Sequence, residues 1–253
     1  MADRPVALVT GANKGLGKET ARQFLGHRMT VVMGSRDPER GIAAARELCV
    51  DGAAVPVQLD VTDSASVDAV ADRLRRDHGR LDVLVNNAGT VVDRLAADTT
   101  AVEMRHTFEV NVFGVVTVIH AMLPLLRASA APRVVNVAST TASLGLTGGG
   151  TDFGGDADRR MAYSSSKTAL NMLTVQYAHA FAKDPGLSHI KISSATPGYT
   201  ATDLRAPRHP HRRGGRPGHR GPGHAGRYCP HRRVLQRPGA RAVVTEHVTR
   251  GGI

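Results

Sequence analysis

Val6-Ala7-Leu8-Val9-Thr10-Gly11-Ala12-Asn13-Lys14-Gly15-Leu16-Gly17 joins an apolar run to a glycine-rich turn, and a helix-like stretch, Lys18 to Leu25, follows. Strand, glycine turn and helix in that order are the context a dinucleotide-binding loop requires. The glycines permit positive φ and close backbone approach, and the unpaired N–H groups of a helix N-terminus attract a pyrophosphate. The spacing is G-x-x-x-G-x-G. A tight strand-to-helix turn with no ligand is the competing reading of the glycines taken alone.

Outward from that loop, apolar strand-length runs alternate with amphipathic helix-length ones, the signature of a parallel α/β sheet. Strands are expected near Pro5–Thr10, Thr30–Gly34, Ala54–Leu59, Leu81–Val85, Arg133–Ala138 and His189–Ser194. Helices fall between them at Gly15–His27, Pro38–Val50, Ser64–His78, Thr100–Arg127 (broken near Asn111) and Arg160–Lys183. Asp37-Pro38 and Ser64 suit helix starts. Strands rich in Val and Leu with little alternation point to burial on both faces.

In the last of those helices, Tyr163 and Lys167 stand four residues apart, on one face across a single turn. A phenol with a pKa of about 10 is a poor acid or base near neutrality. A neighbouring ammonium stabilises the phenolate, so Lys167 is expected to lower the Tyr163 pKa into a useful range. Ser139 ends the strand Arg133 to Ala138, which aims its hydroxyl at the crevice where such sheets bind ligands. It equally suits a turn or helix cap.

The glycine loop, Asn86-Asn87-Ala88-Gly89, Asn111, Ser139 and Tyr163-x-x-x-Lys167, in that order, resemble the short-chain dehydrogenase/reductase superfamily. Ala12-Asn13-Lys14-Gly15 and the long gap between Ser139 and Tyr163 are similar to its carbonyl-reductase-like branch. The resemblance runs from Pro5 to about Leu204. It implies a single Rossmann-type doubly wound parallel sheet with helices on both faces, in the strand order 3-2-1-4-5-6; the family's seventh strand is not found. It also implies hydride transfer between a nicotinamide and a carbonyl compound or secondary alcohol. Ser139 would hold the substrate oxygen, and Tyr163 would give or take its proton. Lys167 would bind the ribose hydroxyls, and Asn111 would position a water in a proton relay, with a purely structural role at the helix kink as the alternative.

The cofactor would be held by Gly11, Asn13, Lys14, Gly15, Leu16 and Gly17 and by Asp60 and Val61 after the third strand. Asn87, Ala88 and Gly89 would form its floor, unless they are only a strand-ending turn. Tyr163, Lys167, Pro197, Gly198, Thr200 and Thr202 complete the implied set. The second strand ends in Ser35-Arg36, and Lys14 sits in the loop; two cations there suit a 2′-phosphate, so NADP(H) is favoured over NAD(H). Asp37 is the complication. With a register slip of one it would take the ribose-binding role of an acid; its more ordinary role is to cap the helix at Pro38.

The net charge of +11 resembles a nucleic-acid signal until its distribution is read. Residues 205–253 hold 12 arginines, no lysine and one acid, Glu246, a balance of +11. Residues 1–204 keep 21 of the 33 basic and 21 of the 22 acidic residues and are neutral. We therefore expect a catalytic domain over 1–204 and a basic Arg/His/Gly/Pro-rich tail over 205–253 that buries too little apolar surface to fold. A basic arm for nucleic acid and a His-rich metal tract are alternatives, the latter without ligand geometry. A frameshift accounts for more. Codons permitted for Val234 to Thr245, read one nucleotide later, give Phe-Phe-Asn-Asp-Gln-Gly-Pro-Val-Arg-Trp and then a stop, similar to how this branch of the family ends. Activity is then expected to be impaired.

Length suits one domain. Met1-Ala2-Asp3-Arg4 leads directly into a strand, with no signal-like segment, and no apolar stretch reaches membrane-spanning length; Cys49 and Cys229 lack metal or redox spacing. A cytoplasmic enzyme without a metal is expected. The helices around 111–127 and 160–183 resemble those that pair subunits in the family, so a homo-oligomer is expected. The alternative function is an inactive Rossmann nucleotide-binding protein, with or without a tail that binds nucleic acid.

Overall fold

The structure, a computed structural model, describes residues 4–48, 53–151 and 157–197. Gly198, Thr200, Thr202, both cysteines and the whole basic tail lie outside the described residues. Among the described residues six parallel strands form one sheet: β1 (Val6–Val9), β2 (Thr30–Ser35), β3 (Ala54–Gln58), β4 (Val83–Asn86), β5 (Arg133–Val137) and β6 (Lys191–Ala195). Their order is β3-β2-β1-β4-β5-β6, as the sequence implies. Leu8 stands beside Val32 on one side and Leu84 on the other, so β1 is central.

Among the described residues seven α-helices cover the two faces: α1 (Gly15–Gly26), α2 (Pro38–Glu47), α3 (Ser64–His78), α4 (Ala101–Phe108), α5 (Gly114–Arg127), α6 (Leu144–Gly148) and α7 (Met161–Lys183). Val6, Leu8 and Val32 pack with Leu74, Ile119, Met122 and Leu170 in one core. The next residues along the strands, Val9, Val31 and Met33, pack with Ala21, Leu25 and Ala44 in another. Both sides of a strand meet apolar neighbours, which is why the strands read as unbroken hydrophobic runs.

The helix ends follow local chemistry. Asp37 caps α2 ahead of Pro38, and a Thr100–Glu103 capping box starts α4. The cap of α3 is Asp63 rather than Ser64: its carboxylate accepts from Ala65 N at 3.0 Å. The expected break near Asn111 is a π-helical segment, Glu109–Phe113, joining α4 to α5. The stretch Ala101–Arg127 is apolar and long enough to cross a membrane by composition, yet half of it is buried in the fold. Val115, Val118, Ile119, Met122, Leu125 and Leu126 put it in the core. The short α6 was not anticipated, since Gly-rich sequence around it carries little helical signal.

Candidate active site

The glycine loop lies where β1 hands over to α1, against the end of β4. Gly11 has φ +64°, and a Cβ there would come 3.0 Å from the Ala88 Cα. At Gly17 a Cβ would approach Gly11 O to 2.4 Å and Asn87 Nδ2 to 2.5 Å, so only glycine lets α1 start this close to the loop. Asn87 is the clamp. Its Nδ2 donates to Thr10 O at 2.9 Å and Gly11 O at 3.1 Å, while Thr10 Oγ1 accepts from the backbone N–H of Asn87 and Ala88. The architectural reading of this segment therefore accounts for the Asn87 side chain.

α1 differs from its neighbours at its N-terminus. Side chains cap α2, α3 and α4, but none caps α1, and its first turn holds no acid. The first residues of α1, Gly15 and Leu16, line a cleft of about 580 Å³. A bare helix start beside a glycine cradle fits the pyrophosphate of a dinucleotide. Gly11, Asn13, Lys14, Gly15 and Leu16 line the cleft, as do Arg36, Asp60, Val61, Asn87, Ala88 and Gly89. Gly17 sits beneath the loop instead. Asp60 already uses Oδ1 to accept from Thr62 N and Oγ1, at 3.0 and 2.7 Å.

Ser139, Tyr163, Lys167 and Pro197 line the same cleft. Ser139 caps the turn after β5: its Oγ accepts from Thr141 N at 3.3 Å and lies 3.0 Å from Thr141 Oγ1. Lys167 is 4% exposed, its Nζ donates to Val137 O at 2.7 Å, and it lies 5.9 Å from the centre of the Tyr163 ring. Burial holds its pKa down at about 8.

One expectation is corrected here. Tyr163 is not pulled below the ordinary phenol value: burial pushes it above 10, against the lowering effects of the nearby Ser139 hydroxyl and the Arg160 charge. Helical spacing supplies proximity, but it does not report desolvation, which here is the larger effect. The Lys167 ammonium is itself depressed by the same burial.

Asn111 lies behind the cleft, fully buried. Its Nδ2 donates to Thr90 O at 2.9 Å and Ser166 Oγ at 3.0 Å, and its Oδ1 accepts from Thr90 N at 2.8 Å. The side chain is thus committed to joining the π segment to α7 and the loop after β4. This is the structural role held as the alternative to a water relay.

Sequence reasoning overlooked Arg40, Thr90, His106, Thr141, Arg160 and Thr196, which also line the cleft. Arg160 precedes α7 and is placed by an isolated bridge to Arg94, and Arg94 N donates to Arg159 O at 3.0 Å.

A dinucleotide cradle that ends against a Ser–Tyr–Lys group places the protein among the NAD(P)-dependent oxidoreductases built on a Rossmann sheet. Residues 5–213 match the family described as short chain dehydrogenase. The chain is 40% identical over 163 residues to Short-chain dehydrogenase/reductase 1 of Saponaria officinalis, covering 55% of this chain and 54% of that one. It is 31% identical over 242 residues to Carbonyl reductase (NADPH) 1 of Rattus norvegicus, covering 82% and 86%. The crystal structure of a short-chain dehydrogenase from Streptomyces avermitilis superimposes with a TM-score of 0.67 at 33% identity, over 81% of this chain and 69% of that chain. The chain belongs to the short-chain dehydrogenase/reductase family.

Proposed function

We propose that the protein is an NADP(H)-dependent reductase of small carbonyl compounds. The observation that carries this reading is the meeting of Ser139, Tyr163 and Lys167 in the cleft that the glycine loop and Arg36 also line. The bound nicotinamide would supply or accept the hydride. The Ser139 hydroxyl would donate to the substrate oxygen, where negative charge grows as the carbonyl is reduced. Tyr163 would pass its phenolic proton to that oxygen. Lys167, fixed by Val137 O, would hold the ribose hydroxyls.

Two features support NADP(H). Lys14 and Arg36 both line the cleft, and Asp37 is occupied in capping α2. The rat relative is also named for NADPH. The test is loss of NADPH absorbance with a panel of aldehydes, ketones and quinones. Consumption dependent on a carbonyl supports the reading; tight NADPH binding without consumption supports the inactive nucleotide-binding alternative. Running it on a frame-restored form as well separates an impaired chain from a different chemistry.

The same reading includes a homo-oligomer through the helices at 111–127 and 160–183. Phe113, Met172 and Val175 expose apolar surface there.

A further inference from the structure

Arg94, Arg159 and Arg160 come together where the loop after β4 meets the start of α7. Arg94 Nε meets Glu103 Oε1 at 2.6 Å, and Arg159 Nε meets Asp93 Oδ1 at 2.7 Å. Arg160, half-buried, lines the cleft. Its backbone is held from both sides. The bridge to Arg94 ties it to the loop, and its carbonyl accepts from Ser164 N at 2.8 Å as α7 begins. Tyr163 lies three residues further on, and the Arg160 charge acts on its phenol.

Other cations of the cleft stand elsewhere on the sheet. Lys14 and Arg36 follow β1 and β2, and Arg40 lies in α2. β1 and β4 separate β2 from β5, so Arg36 and Ser139, beyond the ends of those strands, are three strand spacings apart, roughly 14 Å. Lys167 donates to Val137 O. Among the described residues the acids lining the cleft are Asp37 and Asp60, which follow β2 and β3. Ser139 and Tyr163 thus have a cation beside them that a phosphate held at Lys14 and Arg36 does not engage.

We propose that the substrate is an oxo acid: Arg160 pairs with its carboxylate while Ser139 and Tyr163 hold its carbonyl oxygen. The inference rests on the reductase reading above and names its substrate class. A guanidinium fork matches a carboxylate, two N–H donors to two oxygens. Holding a short substrate at both ends also fixes which face of the carbonyl is presented for reaction. The product is the hydroxy acid. The carbonyl carbon takes the hydride of NADPH, the C=O π pair moves to oxygen, and that oxygen takes the Tyr163 proton.

The test uses levulinate and its methyl ester, which share a ketone and differ in charge. Dissociation constants are measured by calorimetry on the full chain saturated with NADP+, where no hydride is available. Values of kcat/KM with NADPH are measured on the full chain and on its frame-restored form. Wild type should favour the acid about tenfold or more by both measures. Arg160→Gln should lower that acid-to-ester ratio about ten- to hundredfold. Arg160→Lys, which keeps the charge without the fork, should lower it by about threefold. A wild type that favours the ester, or a ratio that Arg160→Gln leaves unchanged, overturns the proposal. So does NADPH binding that weakens in Arg160→Gln as much as acid binding does, since that assigns the arginine to the cofactor. Reduction of neutral aldehydes or ketones with levulinate refused overturns this inference alone, whereas NADPH binding with no carbonyl reduced overturns the reductase reading beneath it.

Discussion

Lys167 is a buried ammonium whose pKa falls from 10.5 to about 8. Between those values the unfolded chain binds the proton that the folded chain has released, so unfolding free energy rises with pH across that window. Below about 8 the buried charge is a cost; as pH climbs toward 10.5 the cost is relieved. Subtracting the Lys167→Met profile from the wild-type profile isolates this term. Denaturant titrations at pH 7.5, 9 and 10 should show the difference growing in favour of wild type, and a flat or falling difference would count against a desolvated lysine. Gly17→Ala tests the cradle in the same way. Its Cβ would strike Gly11 O and Asn87 Nδ2, so the loop must shift. NADPH affinity should drop about tenfold or more, with the fold retained. The sequence showed that Tyr163 and Lys167 share a face, because helical geometry is local. It gave the wrong sign for the phenol, because burial depends on strands and loops far away along the chain.

Elements record the same division. The start of α2 was legible because Asp-Pro is local chemistry. The start of α3 was placed on the neighbour of the true cap. Asp63→Ala should therefore cost about 1 kcal/mol in urea unfolding and Ser64→Ala close to nothing; equal costs would return the cap to Ser64. The break between α4 and α5 was expected, but its π character was not, and Asn111 within it makes contacts far along the chain. That one side chain ties Thr90 and Ser166 to the segment. Asn111→Ala leaves buried polar partners unpaired and should destabilise by about 2–4 kcal/mol. A loss below about 1 kcal/mol would mean that Asn111 is not the strut described here. Arg40 was missed for a related reason: on a helical wheel it is a solvated cation, and it enters the cleft because α2 begins beside the end of β2.

At the scale of the whole molecule, strand order followed from the family resemblance that the motifs carry, and the two-sided core followed from the composition of the strands. The sequence could not say which groups from separate loops share the cleft with Tyr163. His106, Arg160 and Thr196 come from three different segments and meet only in the folded chain. β6 is the last strand of the sheet among the described residues, and Lys191 and Ser193 on it are exposed. Saturating NADPH, at a hundred times its dissociation constant, should add about 2.7 kcal/mol to stability and raise the melting temperature by several degrees. No shift at that concentration would deny the cleft its proposed occupant. The most direct measurement is Tyr163→Phe, assayed for carbonyl reduction alongside NADPH binding. The account predicts turnover reduced by about a hundredfold or more with the NADPH dissociation constant unchanged, whereas turnover at the wild-type rate would contradict it.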